Sequence, residues 1–159
     1  MALPQEVRSS FRSLVESGNI RYVVQPAGVG VQMVSDGAAA AWAWAAYVQI
    51  VIAGTITDPS WLCGITIHTA AVATHTGDIA IASGAAAAEI DLAILYYNAL
   101  LVGVTANTVG MAMGDSNKYL PFPIRIAGAP RLAGRVRKST AASLDGVTMK
   151  VLLAVAVGT

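Results

Sequence analysis

From Ile20 onward, apolar and polar positions alternate with a period of two, in short segments punctuated by Gly, Pro, Asn and Asp. That is the pattern of strands that bury one face. Nine strands are predicted: 20–25, 31–34, 45–53, 61–69, 78–83, 89–97, 120–126, 131–138 and 147–157. In the last, Val147, Met149, Val151, Leu153, Val155 and Val157 share a face. The same rule puts Trp61, Cys63, Ile65 and Ile67 together against Thr66 and His68, and sets Ile79 and Ile81 against Ala80 and Ala82. It also groups Ile90, Leu92 and Ile94. Pro26-Ala27-Gly28, Asp36-Gly37 and Thr57-Asp58-Pro59 mark turns, and residues 98–119, rich in Gly, Asn and Met, read as one long surface or interface loop.

Ahead of the strands, Val7, Phe11, Leu14 and Val15 recur at helical spacing. Pro4 suits a first turn and Gly18 a stop, so residues 5–17 are predicted to be a short helix. Such a helix is too short to stand alone and packs on a neighbour or serves as an arm. The expectation is an N-terminal arm (1–19) on an all-β antiparallel sandwich (20–159), wound as a jelly roll.

Composition changes this picture in one respect. Hydrophobic residues make up 55% of the 159-residue chain and charged residues 12%, against about 25% charged in soluble domains. Some apolar surface therefore needs a membrane or a protein interface to cover it. Uncharged runs at 37–57 and 92–114 have the length of membrane spans. The β-branched and aromatic residues of Tyr47-Val48-Gln49-Ile50-Val51-Ile52, and the breaks at Asn98, Gly103, Asn107 and Gly110, favour strands and loops over spanning helices. No membrane association is expected, and the N-terminus lacks the apolar core of a secretory signal.

Charge is unevenly placed. No Lys or Arg occurs between Tyr22 and Asn117, where Asp36, Asp58, Asp78, Glu89, Asp91 and Asp115 lie; Lys118, Arg125, Arg131, Arg135, Arg137 and Lys138 follow without an acid among them. Either the acidic part of one copy meets the basic part of another, or folding mixes both sets on one surface.

Candidate chemistry is sparse. A single cysteine, Cys63, in an apolar setting reads as an inert buried thiol. His68, His75 and Asp78 lack a further ligand at useful spacing, so no metal or other cofactor is expected. Gly28-Val29-Gly30 is not a dinucleotide fingerprint, there is no Gly-x-Ser-x-Gly elbow, and no catalytic residues are assigned. Glu89 and Asp91 share one strand face, as do Arg131, Arg135 and Arg137. With no aromatic residue between the arginines and a pI of about 7.9, carboxylate pairing is favoured over nucleic-acid contact. Trp42 and Trp44 project to one side if extended, either as an interface anchor or as a core pair. A carbohydrate-stacking platform is a further use of the two rings.

Several segments carry a resemblance. An aromatic-rich strand (47–53) leads to Asp58-Pro59-Ser60-Trp61 and to Gly64-Ile65-Thr66-Ile67. Ile81-Ala82-Ser83-Gly84-Ala85-Ala86-Ala87-Ala88-Glu89-Ile90 follows, then 121–126 and Gly128-Ala129-Pro130-Arg131-Leu132-Ala133-Gly134-Arg135. Together they resemble the small virion structural proteins of tailed bacteriophages, β-sandwich subunits of head decoration (cement) or fibre-like components. Ala87 stands where that pattern has a second Gly, and Pro130 where it has a small polar residue. The resemblance implies a non-enzymatic homotrimer on the capsid surface, with the major capsid protein or other virion subunits as partners. Arg131, Arg135 and Arg137 would then pair with Glu89, Asp91 or acids of the shell. Phe11 and Leu14 of the arm, Trp42, Trp44 and the loop at 98–119 are the expected contacts. A receptor- or glycan-binding module of a tail or head fibre is the alternative.

Overall fold

The computed structural model describes residues 12–34, 41–70, 75–102, 111–113, 116–128, 131–139 and 146–157. Ten strands occur among them: β1 (Ile20–Gln25), β2 (Val31–Val34), β3 (Val48–Val51), β4 (Ser60–Ala70), β5 (His75–Ser83), β6 (Ile90–Val102), β7 (Met111–Met113), β8 (Ser116–Ile126), β9 (Leu132–Lys138) and β10 (Gly146–Ala156). They form two antiparallel sheets. The first has the order β1-β10-β4-β8, with β2 also on β10, and the second β3-β9-β5-β6-β7. This is an all-β sandwich, as the alternation predicts.

The order is nested. The β5–β6 hairpin is innermost, β4 pairs with β8, β3 with β9, and β1 and β2 share one edge of β10. A long hairpin folded over twice, with successive pairs dealt to alternate sheets, has this order. β10 is the hinge of the arrangement: β1 covers it from Val151 to Ala156 and β2 from Gly146 to Met149, while β4 runs along its other side. The five inward side chains Val147, Met149, Val151, Leu153 and Val155 are buried and meet Ile79 and Ile81 of β5 and Leu132 and Val136 of β9 in one core. Val157, grouped with them by alternation, lies past the strand end and is exposed.

Two bulges overturn predicted faces. On β4, Cys63 is an extra residue between Leu62, opposite Leu153, and Gly64, opposite Leu152. The chain changes parity there. Leu62, Ile65 and Ile67 face the main core, whereas Trp61 and Cys63 join a second cluster with Ala154 and Ala156 on the outer side of the sheet. On β6 the register slips at Leu92, so Leu92, Leu95 and Tyr97 contribute to the core while Ile94 points outward; Ile90, opposite Ser83 at the strand's start, is exposed. The stretch 98–119 is likewise not a single loop: β6 continues to Val102, and β7 and the start of β8 fall within it. β3 is shorter than predicted, although Trp42 and Ala45 donate backbone hydrogen bonds to Lys138 and Val136 and so extend the same edge of β9.

Of the predicted helix, residues 12–16 are described and helical; Phe11 and the residues before it lie outside the described residues. The helical stop falls where expected. Gly18, in a left-handed conformation (φ 71°), donates to Val15, and Asn19 donates to Leu14, the paired bonds of a Schellman cap. Leu14 packs on the second cluster. No described helix is long and apolar enough to cross a membrane.

Gly77 on β5 is dictated by packing. A Cβ there would meet the carbonyl oxygen of Arg137 and lie 2.5 Å from the buried ring of Tyr97. Gly77→Ala is expected to lower unfolding stability by about 1–3 kcal/mol, the range for forcing extra volume into a packed core. Urea denaturation measures it, and an unchanged midpoint would contradict the tight ring-on-glycine contact.

Candidate functional site

On the outer face of the second sheet, β9 presents Ala133, Arg135 and Arg137, while its alternate residues Leu132 and Val136 enter the core. β5 presents Asp78, Ala80 and Ala82. The three alanines are fully buried although they face outward, because larger side chains lie across them. Their methyl groups form a low floor over which the arginines reach.

Arg137 stands directly opposite Asp78 and pairs with it through Nε (2.8 Å) and Nη2 (2.7 Å). Arg135 stands opposite Ala80 and reaches past β5 to Asp91 on β6, Nη2 to Oδ2 2.6 Å. Arg131, just before β9, binds Glu89 at 2.7 Å. The other oxygen of Asp91 accepts a hydrogen bond from the Tyr47 hydroxyl at 2.6 Å. Three cross-strand ion pairs thus form a ladder from β9 to β5 and β6.

The aromatic residues lie over this ladder. The Arg135 guanidinium is 4.4 Å from the centre of the Tyr47 ring and 4.6 Å from that of Trp44; the Arg137 guanidinium is 4.5 Å from Trp44 and 5.7 Å from Trp42. The result is an alternating series, Tyr47–Arg135–Trp44–Arg137–Trp42, with the acids behind it. Each ring–cation contact contributes on the order of 0.5–1 kcal/mol. Trp42 ends the series at 44% exposure, with its backbone in the left-handed region (φ 66°), strained for a bulky residue. Neither tryptophan belongs to the core, which removes the core-pair reading.

Electrostatics follow the geometry. The Arg131 guanidinium beside Glu89 holds its carboxyl below the ordinary value of 4.5. Burial, then the hydrogen bond to Asp91, pushes the Tyr47 hydroxyl up to about 12. Burial also raises the Cys63 thiol, whose Sγ donates to the Trp61 carbonyl at 3.6 Å, consistent with an inert thiol.

The loop between β5 and β6 sets the position of Glu89. Ala87 there adopts φ 64°, a left-handed conformation that costs a residue with a Cβ about 1–2 kcal/mol.

The sequence placed Glu89, Asp91, Arg131, Arg135, Arg137, Trp42 and Trp44 among candidate residues, and the fold brings all seven onto one face. Leu14 lies on the opposite sheet, and Phe11 is outside the described residues. Asp78 and Tyr47 were not anticipated as partners; the Trp42-x-Trp44-x-x-Tyr47 spacing was the available signal for Tyr47. The segregation of charge along the chain is resolved internally here: Asp78, Glu89 and Asp91 pair with three of the six bases between 118 and 138. No group of three His, Cys, Asp or Glu residues able to hold a metal ion occurs among the described residues. No family model, curated protein or solved structure matches the chain.

Arg135→Ala removes one ion pair and two ring contacts and is expected to cost about 2 kcal/mol. Arg135→Lys keeps the charge but not the planar stack and should lose about half of that; chemical denaturation of both variants tests the order. Because the folded Tyr47 ionises later than its unfolded counterpart near 10, its contribution is intact below pH 10 and is lost as pH rises toward 12. Wild-type stability should fall faster than that of Tyr47→Phe over this window, as read from thermal midpoints.

Proposed function

We propose that the chain is a virion structural protein, a capsid decoration (cement) subunit that binds and stabilises a head shell as a homo-oligomer, with three copies as the expected number. One observation carries this reading: both outer faces of the sandwich expose large apolar side chains. Tyr22, Val24 and Tyr119 lie on the first sheet, and Ile94 and Tyr96 on the second. The cations nearest the second patch are held in the ladder with their own acids. Surface of this kind gains about 25 cal/mol per Å² on leaving water, offset by the cost of association.

Two further points support the reading. The nested strand order is the one we interpret as a jelly-roll wind, an architecture used by many capsid and lectin domains. The segments that resemble phage virion proteins fall on β3, β4, the β5–β6 hairpin, β8 and β9, the elements that build the ladder and the core. The subunit would act mechanically, spanning shell contacts on the capsid surface and burying apolar area that resists internal pressure; it needs no cofactor, nucleic acid or catalytic group.

A second reading, a receptor- or glycan-binding module of a fibre, draws on Trp42, whose ring is half exposed at the open end of the cation–aromatic series. Two guanidinium groups already lie over Trp44, so a platform of two free rings is not what the site offers. Glycan-array binding abolished by Trp42→Ala would favour this reading over assembly.

The test is light scattering of the purified chain at micromolar concentration, followed by co-sedimentation with undecorated heads of the phage that encodes it. A trimer that sediments with heads is expected, and Tyr119→Asp and Ile94→Asp should each weaken assembly or head binding at least tenfold. A monodisperse monomer that stays in the supernatant would overturn the proposal.

A further inference from the structure

The outer face of the first sheet holds an open apolar trough. One part, of about 390 Å³, is lined by Tyr22, Cys63, Tyr119, Leu120, Pro123 and Leu152. A second, of about 180 Å³, continues from Tyr119 and Leu152 to Val24 and Thr66. The β4 bulge makes room for both: Gly64, paired with Leu152 on one side and Tyr119 on the other, adds no side chain to the floor. Tyr22 on β1 and Tyr119 on β8 stand exposed at opposite edges.

Charge on this sheet has one sign. Its five strands hold Arg21, Lys118, Arg125 and Lys150 and no Asp or Glu. Arg125 stands opposite Trp61, a member of the outer cluster, and Lys150 opposite Thr66, between the inward Met149 and Val151. Both therefore project outward, one beyond each end of the trough. They are two strand spacings apart across the sheet and four residue steps along it, about 16 Å on the diagonal. Neither forms an ion pair with a described residue. On the second sheet, by contrast, Arg135 and Arg137 are already neutralised by Asp91 and Asp78.

A second copy matches this face poorly. Of the described acids, Glu16 pairs with Arg12, and Asp78, Glu89 and Asp91 are held in the ladder, which leaves Asp58. Nucleic acid matches it poorly too, because two cations separated by an apolar floor offer few phosphate contacts. An extended stretch of about five residues spans 16 Å. Carboxylates at its two ends reach the cations, and apolar side chains between them fill the trough.

We propose that the outer face of the first sheet docks an extended acidic segment of a different protein, apolar at its centre, with Arg125 and Lys150 holding its ends and Tyr22 and Tyr119 flanking it. Identifying that protein with the head shell rests on the reading above. The preference for an acidic segment does not, and it is tested without heads.

The full-length protein is passed over an immobilised random copolymer of glutamate and tyrosine, and in parallel over a lysine–tyrosine copolymer and over DNA-cellulose. Retention by the acidic copolymer alone, reversed by added salt, is expected. Arg125→Glu/Lys150→Glu should be retained at least tenfold less at an unchanged thermal midpoint. Should that variant unfold, Arg125→Gln and Lys150→Gln, each expected to weaken retention severalfold, decide the matter. Passage of the wild type through the acidic column, equal retention of the variants, or stronger retention on DNA would each overturn the proposal.

Discussion

The fold depends on burying one face of its last strand between partners from the beginning and the middle of the chain. β10 carries an unbroken inward row from Val147 to Val155, paired on one side with β1 and β2 and on the other with β4. Each of these side chains contributes about 1.5–3 kcal/mol on burial, but only after the chain has closed long loops, of more than a hundred residues for the pairing with β1 and β2. Local contacts cannot assemble such a sheet piecemeal, so folding is expected to be cooperative and slow relative to helical proteins of this size. Everything on the outer surfaces inherits its position from that zipper.

The ladder on the second sheet shows how. Because Leu132 and Val136 must enter the core, Arg135 and Arg137 must leave it. Because β9 lies beside β5 and β5 beside β6, the departing arginines meet acids that are far away in sequence, Asp78 at 59 residues and Asp91 at 44. Small residues at Ala80 and Ala82 let Arg135 cross a whole strand. The aromatic cover then follows from the edge segment 42–47, which runs along β9 through the hydrogen bonds of Trp42 and Ala45. Charge is spent inside one face, and apolar side chains are left on both. The proposed assembly rests on this division.

Much of this was legible in the sequence where alternation ran uninterrupted. β10 and β5 kept their predicted faces because no residue is inserted in the inward rows before Val155 and through Ile81. β4 and β6 did not, because an added residue at Cys63 and at Leu92 reverses parity; Gly64 beside the first was the available mark, and no Gly or Pro adjoins the second. The far end of β6 was hidden by Asn98, read as a loop signal although the strand continues through it. The arginine row was readable from spacing alone, whereas its partners required the strand order. Asp78 and Tyr47 come to the ladder from strands that neighbour β9 only in space, and periodicity does not encode which strands are neighbours.

The central claim is that the outer faces of this charge-poor sandwich are contact surfaces in an assembly. An electron cryo-microscopy map of intact virions, at a resolution that traces strands, tests it most directly. The account predicts copies of this sandwich on the head, with Tyr22 and Tyr119 on one side and Ile94 and Tyr96 on the other covered by sister copies or by the shell. Particles without the subunit, or with both faces turned to solvent, would contradict it.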